Sequence, residues 1–210
     1  MMSELKIGRM VLSMCQTNCY FLYQEDSKDC IVIDPADQGH QIFNALTGHG
    51  FTIRAILLTH GHFDHIWGAN ALKELADVKI YAYAEEKALL NSEKLNVSKG
   101  AGRPYTVEAD VYLQDGEEIS IAGMTCKCIA TPGHTAGSCS YYFESAGLLV
   151  SGDTLFRESV GRTDLPTGNM RTLVNSIKEK LFVLPEDTKV YPGHGDSTTI
   201  AFEKKYNPFL

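Results

Sequence analysis

The sequence predicts an α/β fold in which two β-sheets pack together with helices on the outside. Three observations carry that prediction. Strand-like runs are followed by helical stretches in both halves of the 210 residues, the pattern of helices layered on sheets. The second half broadly repeats the order of the first. Histidine and aspartate clusters follow several of the strand-like runs, as expected of functional loops carried by a rigid scaffold.

The elements follow in order. Strand-like runs near residues 5–12, 19–24 and 30–34 precede a helical stretch at 38–47. The apolar run Ala55-Ile56-Leu57-Leu58-Thr59 reads as a buried strand that delivers its polar successors to a sheet edge. A helix at 66–75, a short strand at 79–83 and a helix over 85–90 complete this half. Residues 91–109 are polar, contain Gly100, Gly102 and Pro104, and show no period; they predict a long loop that could cover a site. The second half offers strands near 117–122, 124–130, 138–143 and 147–150, a helix at 170–181 and a strand at 188–191. No separate linker, low-complexity tract or sequence-level repeat is visible, so residues 1–210 read as one domain.

A formal net charge of −7 argues against nucleic acid as a partner. The segment Met1-Met2-Ser3-Glu4-Leu5-Lys6 lacks the basic region and apolar core of a signal peptide, and no apolar run approaches membrane-spanning length. A cytoplasmic protein with no membrane partner is expected, its oligomeric state open. For such a chain the six cysteines default to reduced thiols. Cys126 and Cys128 alternate along a strand and share a buried face, Cys30 and Cys139 belong to apolar strands, and Cys15 and Cys19 are expected to flank the first turn. None has metal-ligand spacing, and none is assigned as catalytic.

His60-Gly61-His62-Phe63-Asp64-His65 is the chemically richest stretch. Imidazole nitrogens suit Zn, Fe, Ni and Cu, a carboxylate adds a hard anionic ligand, and four such groups in six positions would otherwise crowd polar side chains without partners. His134 and His194 lie in matching surroundings, Thr131-Pro132-Gly133-His134-Thr135 and Tyr191-Pro192-Gly193-His194-Gly195, each after a strand-like run and a Pro-Gly turn signal. Asp153 ends the strand Gly147-Leu148-Leu149-Val150-Ser151-Gly152-Asp153, which puts a carboxylate at the same strand-end layer. His40 and His49 read as surface residues.

The order His-x-His-x-Asp-His, then His134, Asp153 and His194, resembles the metallo-β-lactamase fold superfamily of metallo-hydrolases. Within it the chain is similar to the glyoxalase II-like (hydroxyacylglutathione hydrolase-like) group, through Asn18-Cys19-Tyr20, Ile33-Asp34-Pro35, Ser151-Gly152-Asp153-Thr154-Leu155-Phe156, Gly161-Arg162-Thr163-Asp164-Leu165-Pro166 and Tyr191-Pro192-Gly193-His194-Gly195. The ending Asn207-Pro208-Phe209 resembles the short bacterial members. The resemblance implies an αββα sandwich of two mixed sheets flanked by helices, with the site at the top edge. It also implies that His60, His62 and His134 hold one metal, Asp64, His65 and His194 a second, with Asp153 between them. Three side chains per metal leave room for water or substrate, as catalytic sites need. Zinc is the default among divalent ions, with iron or manganese as substitutes.

The activity implied is hydrolysis of a thioester such as S-D-lactoylglutathione: two metals about 3.5 to 4 Å apart share a hydroxide and polarise the carbonyl, and the thiolate leaves unaided. Asp64 would bind metal and orient the hydroxide. Arg162 occupies the place of a family residue that contacts the thiol carrier's carboxylate, and Tyr105 and Arg103 are further substrate-binding candidates. The chain stops sixteen residues after His194, without room for the C-terminal helical domain with which full-length glyoxalase II grips glutathione, so another small thiol or ester-like substrate stays open. A secreted β-lactamase is disfavoured by Asp153, where the antibiotic-cleaving zinc enzymes most often carry Cys. A persulfide dioxygenase of this fold, with one iron on His60, His134 and Asp153, is the stronger rival, although Pro-Gly-His-Gly replaces its Pro-Ala-His pattern. A non-catalytic binding module is the third class.

Overall fold

Strand β3 (Asp29–Ile33) shows how the layers arise. Its side chains alternate, so Cys30 and Val32 face one way and Ile31 and Ile33 the other, and all four are buried. Both faces are covered, which is why the run is continuously apolar. The computed structural model describes residues 3–210; Met1 and Met2, with which the reading of the N-terminus begins, lie outside the described residues.

The first sheet holds β1 (Leu5–Leu12), β2 (Thr17–Gln24), β3, β4 (Thr52–Leu57), β5 (Lys79–Tyr83) and β6 (Val111–Leu113) in that order. Antiparallel pairing runs from β1 to β3 and parallel pairing from β3 to β6. The second sheet follows as β7 (Glu118–Ile121), β8 (Met124–Ala130), β9 (Cys139–Phe143) and β10 (Leu148–Gly152). A small hairpin, β11 (Leu155–Phe156) and β12 (Ser159–Val160), comes next, and β13 (Lys189–Pro192) and β14 (Thr198–Thr199) close the second sheet beside β10. Only β10 and β13 pair in parallel there, so both sheets are mixed.

Three apolar layers hold the sandwich. Between the sheets, Tyr20, Leu22, Ile31, Ile33 and Leu57 meet Met124, Cys126, Cys128, Tyr141, Phe143 and Val150. Outside the first sheet, Val32, Ile53, Ile56 and Ile80 pack against Ile42 and Leu46 of α1 (Gly39–Gly48) and Leu72 of α3 (Ala69–Ala76). Outside the second, Leu149 and Val190 pack against Leu173 of α5 (Met170–Ser176) and Ile200 of α6 (Ile200–Tyr206). Two short helices, α2 (Phe63–Ile66) and α4 (Lys87–Leu90), lie near the polar edge of the first sheet. The αββα sandwich implied by the resemblance is the fold observed. No helix among the described residues is long and apolar enough to cross a membrane.

Several boundaries differ from those read along the sequence. The helix expected at 66–75 is two pieces, because the chain turns at Trp67-Gly68 between α2 and α3. The helix expected at 170–181 changes winding after Ser176, with residues 177–181 forming a wider turn. Cys19 lies inside β2 rather than beside the turn. Strands β6, β11, β12 and β14, of two or three residues, are too short to show a period. Helix α6 begins at Ile200, capped by Thr199, whose hydroxyl accepts from the Phe202 N–H. All six cysteines are free thiols, as expected.

The aperiodic stretch at 91–109 is an ordered plug. Phe63 N–H donates to the Asn96 carbonyl, the Trp67 indole to that of Arg103, and the Asn70 N–H to the Tyr105 hydroxyl. These bonds fasten it to α2 and α3, and none crosses the histidine cluster.

Candidate metal centre

The two sheets bring their ligand-bearing strands to one edge. Strands β3 and β4 are parallel, and β8, β10 and β13 share a direction through the antiparallel β9. Past the end of β4 come His60, Gly61 and His62, then α2 with Asp64 and His65 in its single turn. In the second sheet the residues past β8 carry His134, the residue after β10 is Asp153, and β13 leads through Gly193 to His194. The start of the oppositely running β2 reaches the same edge, where Thr17 bridges to His194.

All seven predicted residues meet there. His134 Nε2 lies 2.8 Å from His62 Nδ1 and 3.2 Å from His60 Nε2. His194 Nε2 lies 3.4 Å from Asp64 Oδ2, and His65 Nε2 lies 3.8 Å from the same oxygen. Asp153 touches both groups: one oxygen is 3.4 Å from His65 Nε2, the other 3.5 Å from His134 Nε2 and 3.4 Å from His194 Nε2. The donor atoms of His60, His62 and His134, and separately those of Asp64, His65 and His194, lie within 4.8 Å of one another.

The other ring nitrogens explain why these atoms turn inward. Nδ1 of His134 bonds the Arg162 carbonyl at 2.7 Å and Nδ1 of His194 the Cys15 carbonyl at 3.2 Å. A carbonyl only accepts, so both Nδ1 atoms carry a proton and both Nε2 atoms are turned to the centre. His65 Nδ1 lies 2.9 Å from Asp34 Oδ2, and His60 Nδ1 3.2 Å from the Thr59 hydroxyl, which itself donates to Asp34. Asp34 also accepts the Thr59 N–H. Asp64 Oδ2 accepts from the Thr17 hydroxyl at 2.9 Å. These backing bonds are what fixes ligand orientation at metal sites.

Three buried atoms here, His62 Nε2, His65 Nε2 and Asp153 Oδ1, have no hydrogen-bond partner in the protein. An unmatched buried polar atom costs about 1 to 3 kcal/mol. Two of the three, His65 Nε2 and Asp153 Oδ1, are inward donors 3.4 Å apart, and a cation between the groups would satisfy both. The donor set of five imidazoles and two carboxylates fits divalent cations.

The histidines titrate in opposite directions. Burial pushes His60 and His134 down and His62 to about 3, so these rings stay neutral with free lone pairs. Burial also opposes charge on His65, but Asp153, Asp64 and Asp34 outweigh it and hold its pKa well above the ordinary value. His194 likewise rises, to about 9, as bonds to Asp153 and Asp64 override burial. Burial would raise both carboxyls, yet the neighbouring histidines keep Asp64 low and Asp153 well below the usual range. Without a cation, protons on His65 and His194 balance the carboxylates.

The close packing leaves no room for a side chain at residue 193. A Cβ on Gly193 would stand 2.2 Å from Asp153 Oδ1 and 2.7 Å from His65 Cε1. Asn18 fixes this segment, its Nδ2 donating to the Pro192 and Gly195 carbonyls at 2.9 Å and its N–H to the Gly193 carbonyl at 2.7 Å.

The substrate-binding candidates divide. Arg162 adjoins the centre through its carbonyl, while its guanidinium is 62% exposed and forks onto Asp164 at 2.6 and 2.7 Å. Tyr105 and Arg103 are not brought to the cluster. They line a separate hollow with Trp67, Asn70 and Lys73; Tyr105 accepts from Asn70, and Arg103 pairs with Asp37 at 2.9 Å and stacks on Trp67. His40 and His49 are exposed, as expected of surface residues. Reading along the chain gave Asp34, Thr59 and Thr17 no role. The available signal for Asp34 was an acid directly after the apolar run Cys30-Ile31-Val32-Ile33; the structure holds it at a φ of 51°.

Comparison with known proteins places these observations in a family. The model of the metallo-beta-lactamase superfamily matches residues 12–194. The probable metallo-hydrolase YqgX of Bacillus subtilis is 41% identical over 98% of each chain. Hydroxyacylglutathione hydrolase GloC of Haemophilus influenzae is 33% identical over 93% of each. Among solved structures, BLEG-1 B3 metallo-beta-lactamase superposes with a TM-score of 0.93 at 39% identity, covering 98% of this chain and 99% of that one. TTHA1623 in a di-iron-bound form gives 0.85 at 32%, over 97% of this chain and all of that one. ETHE1 from Myxococcus xanthus gives 0.78 at 28%, over 97% and 83%.

Proposed function

The chain belongs to the metallo-beta-lactamase superfamily, and from that premise we propose a binuclear metal-dependent hydrolase that cleaves a small-molecule thioester such as S-D-lactoylglutathione. The observation that carries this reading is the convergence of seven donor atoms, three on one side, three on the other and Asp153 between them. His60, His62 and His134 would hold one ion and Asp64, His65 and His194 the other, zinc being the ion that best suits this nitrogen and oxygen set. Two such ions supply Lewis acidity toward a carbonyl and bring the pKa of a bound water toward neutrality.

The chain's own residues account for the rest. Asp64, kept ionised by His65 and His194, is the catalytic residue that orients the attacking water. Thr17 fixes its carboxylate. A thiol of pKa about 8.5 leaves without a protonated side chain beside it, so no further acid is required. Arg162 would exchange Asp164 for a carboxylate of the substrate; a forked guanidinium suits either partner. The similarity to a hydroxyacylglutathione hydrolase supports the thioester class. The net charge of −7 accords with a small-molecule substrate rather than nucleic acid.

A second reading is a mononuclear iron persulfide dioxygenase of the same fold, using His60, His134 and Asp153. In its favour, those three converge, with His134 Nε2 at 3.2 Å from His60 and 3.5 Å from Asp153. The deciding experiment is turnover of S-D-lactoylglutathione with and without oxygen, with metals quantified on the same sample and a β-lactam as a parallel substrate. Oxygen-independent thiol release, close to two ions per chain, and its loss in His62→Ala and Asp64→Ala are expected. One iron per chain and oxygen uptake on a persulfide would overturn it, as would a β-lactam outcompeting the thioester.

A further inference from the structure

Glu86 is a carboxylate buried to 1% exposure that lies outside the ligand set. It ends the turn of residues 84–86 after β5, and no salt bridge reaches it among the described residues. Its partners are unusual in where they lie. Oε1 accepts from the Gly61 N–H at 2.7 Å, between His60 and His62. Oε2 accepts from the Gly137 N–H at 3.0 Å, and the Thr135 hydroxyl lies 3.0 Å from both oxygens, next to His134. One side chain therefore ties the first sheet's ligand loop to the second sheet's. The fit is tight: a Cβ on Gly137 would stand 2.2 Å from the Glu86 nitrogen. Burial pushes the carboxyl up to about 7, against three hydrogen bonds that favour the anion. A group held at that cost needs a reason, and the three histidines flanking its partners are the three of one metal position.

We infer that Glu86 is the positioning residue of the three-histidine site, setting the approach of His60 and His62 to His134 across the two sheets. The inference rests on reading the cluster as a metal centre. The carboxylate is the only simple group that accepts at both ends. In Glu86→Gln an NH2 must face the N–H of Gly61 or of Gly137, which pushes one loop away while volume is kept.

The test is Co2+ titration of the metal-stripped full chain, read by visible absorption and by ions bound per chain, in two backgrounds. In His194→Ala, which leaves the three-histidine position, Glu86→Gln should weaken Co2+ binding roughly 10- to 100-fold. In His62→Ala, which leaves the other position, the same change should shift affinity less than twofold. Glu203→Gln is the control: Glu203 is equally buried and accepts from Thr198, Glu158 and Asn207, none of them a ligand or adjacent in sequence to one. It should lower Tm while leaving both affinities unchanged. If Glu86→Gln does not fold, Thr135→Val, which removes one donor, should weaken the same position selectively. Equal weakening in both backgrounds, or none, overturns the role of Glu86. Failure of the unsubstituted chain to bind Co2+ instead overturns the metal-centre reading on which it rests.

Discussion

His65 reaches its inward orientation through Asp34, which accepts from its Nδ1 and from both the N–H and hydroxyl of Thr59. Replacing Asp34 with Asn sets an amide NH2 against at least one of these donors. Metal affinity should fall roughly 10- to 100-fold, checked by competition with a chromogenic chelator; an unchanged affinity would show that the ring is held by packing alone. His194 gives a pH signature in chelator-treated protein. Its folded pKa, about 9, lies above the ordinary 6.5, so its share of stability is complete below 6.5 and lost as pH rises through 9. Tm of the metal-stripped protein should therefore decline between those values, and His194→Ala should flatten the decline. A rise in Tm over that interval would contradict the paired arrangement of His194 with Asp64 and Asp153.

At the scale of elements, the ligand loops are held by strands and the strands by helices. The loop after β13 shows this coupling, since Asn18 of β2 bonds two of its carbonyls, Gly193 and Gly195, and that of Pro192 at the strand end. Gly193→Ala would drive a methyl group into Asp153 and His65, so metal stoichiometry should drop well before the fold is lost, as measured by ions per chain beside circular dichroism. Ile177 tests the opposite case. It is fully buried in the outer layer of the second sheet, in an apolar cluster that holds none of the seven donor residues, and Ile177→Ala should cost about 2 to 5 kcal/mol in urea unfolding with metal affinity kept. Exposed Val183, by contrast, should tolerate Ala within about 0.5 kcal/mol.

At the scale of the molecule, a cation that binds only the folded chain adds stability by mass action, about 2.7 kcal/mol at a hundredfold excess over Kd. Chelation should lower Tm by several degrees and added Zn2+ restore it; no change in either direction would remove the grounds for a metal centre. The sequence by itself determined the sandwich and marked the seven residues that converge at its edge. Buried strands such as Cys30–Ile33 announce covered faces, and ligand chemistry admits few residue types, so His60, His62, Asp64, His65, His134, Asp153 and His194 stood out by type and by position after strands. Tertiary structure alone decided what surrounds them. Hydrogen bonds from His65 to Asp34, from Thr17 to Asp64 and from Gly61 and Gly137 to Glu86 join residues 25 to 51 positions apart. No local period encodes such pairs. It also moved Tyr105 and Arg103 to a separate hollow, because an aperiodic loop is placed by its partners on α2 and α3, and those contacts exist only once the chain has folded.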